Sequence, residues 1–145
     1  MSAYADTSFL GSLYLQDANA PEAARLMPRA KLPLFITPLT EVELTNALSL
    51  QVFRGELKAT EAHAAEGLFQ ADVANRVFEV KPLSPAIIEK ARLLSRKQTP
   101  RIGTRASDVL HVAAALVLGA ETIYTFDRSQ RRLAEAEGLR VSPAA

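Results

Sequence analysis

The sequence contains no cysteine among its 145 residues, which excludes disulfides and thiolate metal sites. Any metal ion would therefore be held by carboxylates, water or histidine, and hard oxygen ligands favour magnesium or manganese. Net charge is also small, because 17 Lys and Arg residues face 16 Asp and Glu residues to give +1. This balance excludes a general attraction to polyanions, so a nucleic acid would have to meet locally arranged basic residues.

Long apolar runs are missing as well. The longest extends from Val109 to Ala120 and contains His111; it is too short to span a bilayer and predicts a buried helix. The opening residues, MSAYADTSFL, have neither a basic lead segment nor a small-residue cleavage site. We therefore expect no secretory signal and no membrane span, and a cytoplasmic location.

The length and the 48% share of apolar residues predict a single domain over residues 1–145. Short apolar runs alternate with longer stretches of helical period, which is typical of an α/β domain with a mostly parallel sheet. The predicted strands are Ala3–Ala5, Leu34–Thr37, Val77–Val80, Thr122–Phe126 and Arg140–Ser142.

Helices are predicted between these strands, each from its own apolar stripe. Ser84 and Pro85 mark the start of one of them, since proline suits the first helical turn. Gly119 and Gly138 are expected to end two others, and Arg101–Arg105 is interpreted as a loop. The helix over Val109–Leu118 is apolar on nearly every side and should be the most buried.

Four acidic residues stand at predicted strand ends or in neighbouring helices: Asp6, Glu43, Asp108 and Asp127. Asp6 follows the first predicted strand and Asp127 the fourth, and ligands of open parallel sheets bind outside the carboxyl ends of the strands. Carboxylates aimed at one point repel each other and usually need a divalent cation between them. The pattern therefore predicts a metal site.

Each acid also has an ordinary structural interpretation. Asp6 and Asp127 are good N-caps for the helices that follow them. Asp108 could complement a helix dipole, although the neighbouring Ser107 is expected to be the cap and to leave Asp108 facing the cleft. Glu43 is favoured over Glu41 as the acid nearer the buried side. Their combination, rather than any single acid, supports a site.

Basic residues and one histidine accompany the acids. Arg105 and Arg128 are the arginines nearest to Asp108 and Asp127 in sequence, and they are candidate contacts for phosphate. His111 follows Asp108 by one helical turn. It is interpreted as a hydrogen-bonded packing residue, with a ligand or base role as the alternative.

Three other classes of parallel-sheet protein fit less well. A dinucleotide-binding domain would need a glycine-rich turn after the first strand, and none is present. A haloacid-dehalogenase-like phosphatase would need a second acid two residues after Asp6, where Ser8 stands. A phosphoacceptor receiver domain would need an early acidic pair and a lysine at a late strand end.

Four segments carry a resemblance to a known family: YADTSFL with Asp6, LTEVELTNAL with Glu43, RASDVLHVAAAL with Asp108, and IYTFDRSQRRLA with Asp127. In this order and spacing the chain resembles a PIN domain of the VapC toxin type, over essentially all of its length. Each motif is weak alone, and the ordered set is specific.

The resemblance implies a three-layer α/β/α, Rossmann-like fold and a Mg²⁺- or Mn²⁺-dependent endoribonuclease that acts as the toxin of a toxin–antitoxin pair. It further implies that Asp6, Glu43, Asp108 and Asp127 bind metal and act in catalysis on RNA, that a VapB-type antitoxin exists, and that the toxin is a homodimer. The alternative is a catalytically inactive PIN-like module that binds RNA or a protein.

Overall fold

The fold is a five-stranded sheet flanked by helices, and the computed structural model describes residues 2–144. The strands are β1 Ser2–Ala5, β2 Leu34–Ile36, β3 Phe78–Val80, β4 Ala120–Tyr124 and β5 Arg140–Ser142. The helices are α1 Thr7–Tyr14, α2 Ala20–Leu26, α3 Pro38–Phe53, α4 Ala59–Ala74, α5 Pro85–Ile102, α6 Ala106–Val117 and α7 Arg128–Ala136, with a short 3₁₀ turn at Met27–Arg29.

The sheet has the strand order β3-β2-β1-β4-β5, and neighbouring strands pair in parallel throughout. Alternation along β1 shows how the two faces are used. Ala3 and Ala5 belong to the core beneath α1 to α4, whereas Tyr4 belongs to the core beneath α5, α6 and α7. Successive side chains of a strand point to opposite faces, so helices cover both. The predicted three-layer α/β/α class with a parallel sheet is confirmed.

Several local sequence signals operate as expected. The Ser84 side chain accepts a hydrogen bond from the backbone N–H of Ile87 and caps α5, with Pro85 in the first turn. Gly119 lies one residue beyond Leu118, the C-cap of α6, and has a φ of 75°, a left-handed conformation that favours glycine. Helix α6 is buried on nearly every side, as its composition predicts.

Three element predictions were wrong in detail. Helix α2 was not predicted, because its seven residues bury only Ala23 and Leu26 and so carry a weak periodic signal. Residues 101 and 102 are helical rather than loop: α5 continues past Pro100 and ends at Gly103, whose N–H donates to the Thr99 carbonyl. Strand β4 starts two residues early and stops at Tyr124, which leaves Thr125 and Phe126 in the loop that follows.

The parallel arrangement places every strand's carboxyl end at the same edge of the sheet. Asp6 follows β1, Thr37 follows β2, and residues 125–127 follow β4, so polar residues from distant parts of the sequence meet there. Within residues 2–144, no helix combines the length and apolarity that a bilayer crossing requires.

An inner strand of the sheet, β4, supplies a test of the packing. Ile123 on β4 is fully buried, whereas Ile88 on α5 is 44% exposed. We expect Ile123→Ala to lower the free energy of unfolding by about 2–5 kcal/mol, because the change removes buried methyl groups and leaves a cavity. Ile88→Ala should lower the free energy of unfolding by much less, because Ile88 is already partly exposed to solvent. Urea unfolding of both variants checks this, and equal losses would contradict the described core.

Candidate active site

A polar cleft of about 320 Å³ opens at the carboxyl edge of the sheet. Three of the four predicted acids, Glu43, Asp108 and Asp127, line it together. Its remaining lining residues are Thr7, Ser8, Arg105, Ser107, Ser129 and Gln130. Helices α1, α3, α6 and α7, with the residues that precede α6 and α7, thus bring their N-terminal halves to one place.

Asp6 is the fourth predicted acid, and it lies beneath this cleft rather than on its surface. Its side chain is 0% exposed. Oδ1 accepts from the backbone N–H of Phe9 at 2.9 Å, and Oδ2 accepts from the Thr125 hydroxyl at 2.6 Å. The Ser8 hydroxyl lies 2.7 Å from Oδ1 and 2.9 Å from Oδ2. Asp6 is therefore the N-cap of α1, the role that its position also allows.

The surroundings of Asp6 shift the pKa of its carboxyl in two opposite directions. Burial raises the pKa of the Asp6 carboxyl above its usual value, because the charged form loses its hydration. The charge of a protonated His111 and the hydrogen bonds from Thr125, Phe9 and Ser8 oppose that rise. The donors around Asp6 thus offset part of the cost of burying its carboxylate.

Glu43 lies on the second turn of α3 and is held by two side chains from other helices. The Thr7 hydroxyl donates to its Oε1 at 2.7 Å, and His111 Nε2 lies 2.5 Å from the same oxygen. Burial alone would raise the pKa of Glu43, but the hydrogen bonds from His111 and Thr7 and the charge of His111 outweigh it, and the net pKa is lowered. Glu43 is thereby kept as a carboxylate at the cleft.

His111 acts through Glu43 and lies inside the core. A carboxylate only accepts hydrogen bonds, so Nε2 carries the proton facing Glu43. The Tyr4 hydroxyl lies 2.7 Å from Nδ1; it donates to Nδ1 when the ring is neutral and accepts from it when the ring is charged. Burial raises the pKa of Tyr4 to about 12, which keeps this hydroxyl protonated. The structure favours the hydrogen-bonded packing interpretation of His111.

Asp108 and Asp127 are joined by a residue that the sequence did not single out. Asp108 Oδ2 accepts from the backbone N–H of Arg105 at 3.1 Å, and its Oδ1 accepts from the Gln130 amide at 3.3 Å. Asp127 caps α7, because its Oδ1 accepts from the Gln130 backbone N–H at 2.9 Å. The expectation that Ser107 caps α6 was wrong: the cap position is Arg105, and Asp108 satisfies its N–H from the third helical position.

The two predicted phosphate contacts occupy different places. Arg105 lines the acidic cleft and is exposed. Arg128 is also exposed but lines a neighbouring depression together with Ser129, Arg131 and Arg132. Ser129 lines both the cleft and this depression, so the basic surface adjoins the acidic one.

Sequence reasoning missed the hydroxyls that organise the acids. The Thr125 hydroxyl donates to Asp6 and accepts from the backbone N–H of Asp127 at 2.9 Å. The Ser8 hydroxyl likewise accepts from the backbone N–H of Phe126 at 2.9 Å. The signal was a serine or threonine two residues from Asp6 and from Asp127, a spacing that suits local side-chain to backbone hydrogen bonds.

The donor set suits a hard divalent cation, since it consists of carboxylate and hydroxyl oxygens. In the part of the chain that the structure describes, no three Asp, Glu or His side chains are close enough to surround an ion together. Such a cage is not required for magnesium, which usually keeps several waters and takes one or two carboxylates together with substrate phosphate. The residues lining the cleft therefore fit the ion in chemical type.

Comparison with known proteins places this arrangement in a family. The family model of the PIN domain matches residues 3–136. The chain belongs to the PIN domain family. The resemblance identified in the sequence is thereby confirmed. No curated protein matches the sequence itself.

Solved structures share the PIN fold over nearly the whole chain. VapC20 of Mycobacterium tuberculosis, described as a sarcin–ricin loop cleaving toxin, has a TM-score of 0.70 at 21% identity, with 95% of this chain and 96% of that chain covered. FitAcB of Neisseria gonorrhoeae has a TM-score of 0.71 at 18% identity, with coverage of 96% and 95%. VapBC2 of Rickettsia felis, bound to a DNA fragment from its promoter, has a TM-score of 0.68 at 16% identity, with 98% of each chain covered.

The hydroxyls around Asp6 generate a stability prediction for this PIN domain. Thr125→Val keeps the side-chain shape but removes a donor to a buried carboxylate. We therefore expect it to lower the free energy of unfolding by about 1–3 kcal/mol near neutral pH. Thr125→Ser keeps the hydroxyl and should lower the free energy of unfolding by less. Urea unfolding of the two variants measures the difference.

The pH dependence of that loss distinguishes its cause. The Thr125 hydrogen bond favours the ionised form of Asp6 and lowers its pKa. The cost of Thr125→Val should therefore be present where Asp6 is ionised and should shrink as the pH is lowered and the carboxyl becomes protonated. A loss that does not change with pH would contradict the Asp6 contact as its source.

Proposed function

We propose that this PIN domain is a metal-dependent endoribonuclease that acts as the toxin of a toxin–antitoxin pair. The observation that carries the proposal is the convergence of Glu43, Asp108 and Asp127 on one cleft. They come from three separate segments, so capping of one helix does not explain their meeting. Asp6 lies directly below and organises the edge on which they stand.

One or two of the carboxylates of Glu43, Asp108 and Asp127 would hold a Mg²⁺ or Mn²⁺ ion in the cleft, together with water and substrate phosphate. The remaining acids, including Asp6, would complete the charge of the site. Such an ion, when bound, lowers the pKa of a water and neutralises charge on a phosphate. The chain's own residues prepare the site: Thr7 and His111 orient Glu43 and keep it ionised, while Gln130 links Asp108 to Asp127.

RNA is the proposed substrate. A phosphate backbone needs positive charge beside the acids, and Arg105 at the cleft with Arg128 at its margin provides it. The relative VapC20 is described as cleaving the sarcin–ricin loop, which supports RNA cleavage as the activity of this fold.

The proposed setting includes a protein partner. The relative VapBC2 is bound to a DNA fragment from its promoter, which supports a VapB-type antitoxin for this chain. A basic antitoxin side chain that enters the acidic cleft would compete with the cation. We further propose a cytoplasmic, homodimeric toxin.

One observation favours a second candidate, a PIN-like module that binds RNA or protein without cutting. The Asp6 carboxylate is buried with both oxygens hydrogen-bonded, as a purely structural cap would be. The two candidates differ in one measurable property, which is cleavage that depends on a divalent cation.

A matched pair of glutamates on α3 tests the nuclease. Glu43 lines the cleft, whereas Glu41 lies on a different surface of the same helix. We expect Glu43→Gln to slow metal-dependent cleavage of total cellular RNA by about a hundredfold or more, because several kcal/mol of transition-state stabilisation depend on the site. The Glu41→Gln variant should cleave RNA at the same rate as the unmodified chain. A chelator should stop cleavage by both of these proteins.

Two outcomes would count against the nuclease. Equal cleavage by Glu43→Gln and the unmodified chain would remove Glu43 from the site, and the absence of metal-dependent fragments with folded protein would favour the binding module. Asp108→Asn should behave as Glu43→Gln does. Growth arrest on expression of the unmodified chain alone, lost in Glu43→Gln and relieved by a co-expressed antitoxin, would support the toxin role.

The basic margin has its own test, made in the Glu43→Gln background so that RNA remains intact. Arg105→Ala should weaken binding of single-stranded RNA and reduce the slope of log affinity against log salt by about 0.7, the contribution of one phosphate contact. Arg92→Ala removes an exposed arginine of α5 that does not line the cleft. It should change neither the affinity for RNA nor the slope of that affinity against salt. Fluorescence anisotropy across a salt series measures both, and identical slopes would exclude Arg105 as a phosphate contact.

A further inference from the structure

Gln130 is a polar residue in a position where packing alone would favour an apolar one. The buried residues of α7 are Gln130, Leu133 and Ala134, the spacing of an apolar stripe on an amphipathic helix. Gln130 is only 6% exposed and also lines the acidic cleft. A buried polar residue that breaks the pattern of its own helix is often found at a functional site.

The nitrogen and the oxygen of the Gln130 side-chain amide have different surroundings. Its NH₂ group faces Asp108 Oδ1 at 3.3 Å, the orientation required because an ionised carboxylate can only accept. That orientation leaves Oε1 buried without any hydrogen-bond partner among residues 2–144. An unpartnered buried acceptor costs stability, so folding alone gives no reason for it.

The backbone of the same residue reaches the other acid. The N–H of Gln130 donates to Asp127 Oδ1 at 2.9 Å, so a single residue contacts two of the three carboxylates on the cleft. Partners of this kind, which orient the groups that bind an ion, commonly affect its affinity as strongly as some direct ligands do.

The unpartnered Oε1 of Gln130 is the kind of acceptor that the water molecules on a hydrated cation need. Magnesium and manganese bound by a few carboxylates retain water molecules, whose hydrogens point away from the ion and need acceptors. Gln130 lines the cleft, and the broad torsion of its terminal amide allows a partial turn that brings Oε1 towards the cleft while the NH₂ group stays within reach of Asp108.

We propose that Gln130 is a positioning residue for the cation of the acidic cleft: its NH₂ group holds Asp108, and its side-chain carbonyl accepts a hydrogen bond from a water on the ion. This inference rests on the proposed function, because it needs a cation in the cleft. It adds a residue outside the four acids to the machinery of the site.

A second buried glutamine provides a matched control. Gln98 on α5 is as buried as Gln130 and donates to Glu137 Oε2 at 2.7 Å. Its own carbonyl oxygen does have a partner, Arg101 Nη1 at 3.4 Å, and Gln98 does not line the acidic cleft. Comparison of the two variants therefore distinguishes the effect of burying an amide from the effect of its proximity to the acidic cleft.

The experiment measures Mn²⁺ affinity by calorimetry and apo-protein stability by thermal unfolding, for the unmodified chain, Gln130→Met and Gln98→Met. We expect Gln130→Met to weaken Mn²⁺ binding by about tenfold or more, with a melting temperature equal to or above that of the unmodified chain, because the orphaned acceptor is removed. Gln98→Met should show the reverse: a lower melting temperature and an unchanged Mn²⁺ affinity.

The outcomes separate this inference from the proposed function. Mn²⁺ binding by the unmodified chain, with the same affinity in Gln130→Met, would overturn the role of Gln130 and leave the nuclease proposal in place. Failure of the unmodified, folded chain to bind Mn²⁺ would overturn both. Gln130→Asn is the second variant, since it keeps the amide but is too short to reach Asp108 and the ion together; it should also weaken Mn²⁺ binding, and unchanged affinity there would likewise overturn the inference.

Discussion

The buried carboxylate of Asp6 is the interaction on which the rest of the site depends. Its oxygens accept hydrogen bonds from the start of α1 and from Thr125 after β4, so it joins two neighbouring strands at their carboxyl ends. Thr125 then accepts from the backbone of Asp127, which sets where α7 begins. Loss of this carboxylate would leave buried donors unpaired, and such donors are costly in a region shielded from water.

The acids of the cleft are individually supported rather than left to repel one another. Each of Glu43, Asp108 and Asp127 accepts at least one hydrogen bond from the protein, and Glu43 has a lowered pKa because its donors outweigh the effect of burial. Donors that stabilise carboxylates let a cluster of like charge persist in a folded chain. The same donors fix the orientation of carboxylates that line one cleft, and carboxylate oxygen is the ligand type that a hard cation prefers.

The fold explains why the helix caps and the site coincide. In a parallel sheet, the chain leaves each strand at the same edge and enters a helix there, so N-terminal first turns collect above that edge. Asp6 and Asp127 are both caps by geometry; Asp127 also lines the cleft, and Asp6 lies beneath it. The structural and functional interpretations of these acids are therefore compatible, because one oxygen can satisfy a backbone N–H while the carboxylate still contributes its charge.

Local sequence determined much of this protein. The apolar runs predicted the five strands, the α/β class and the most buried helix, because burial on both faces of a parallel sheet leaves continuous apolar stretches. Proline and glycine marked the boundaries of α5 and α6 through their backbone preferences. The ordered acidic motifs indicated the family. Helix α2 escaped detection, since a short helix with two buried residues has little periodicity.

Tertiary structure decided how the acids are used. No spacing in the sequence shows that Asp6 lies under the cleft while Glu43, Asp108 and Asp127 line it, or that His111 reaches Glu43 across 68 positions of the chain. Gln130 gave no signal, because a glutamine on a polar helix is ordinary until its neighbours are known. Sequence determines which groups each segment carries, but the contacts between segments arise only when the two cores pack against the sheet, and those contacts decide each group's partners and exposure.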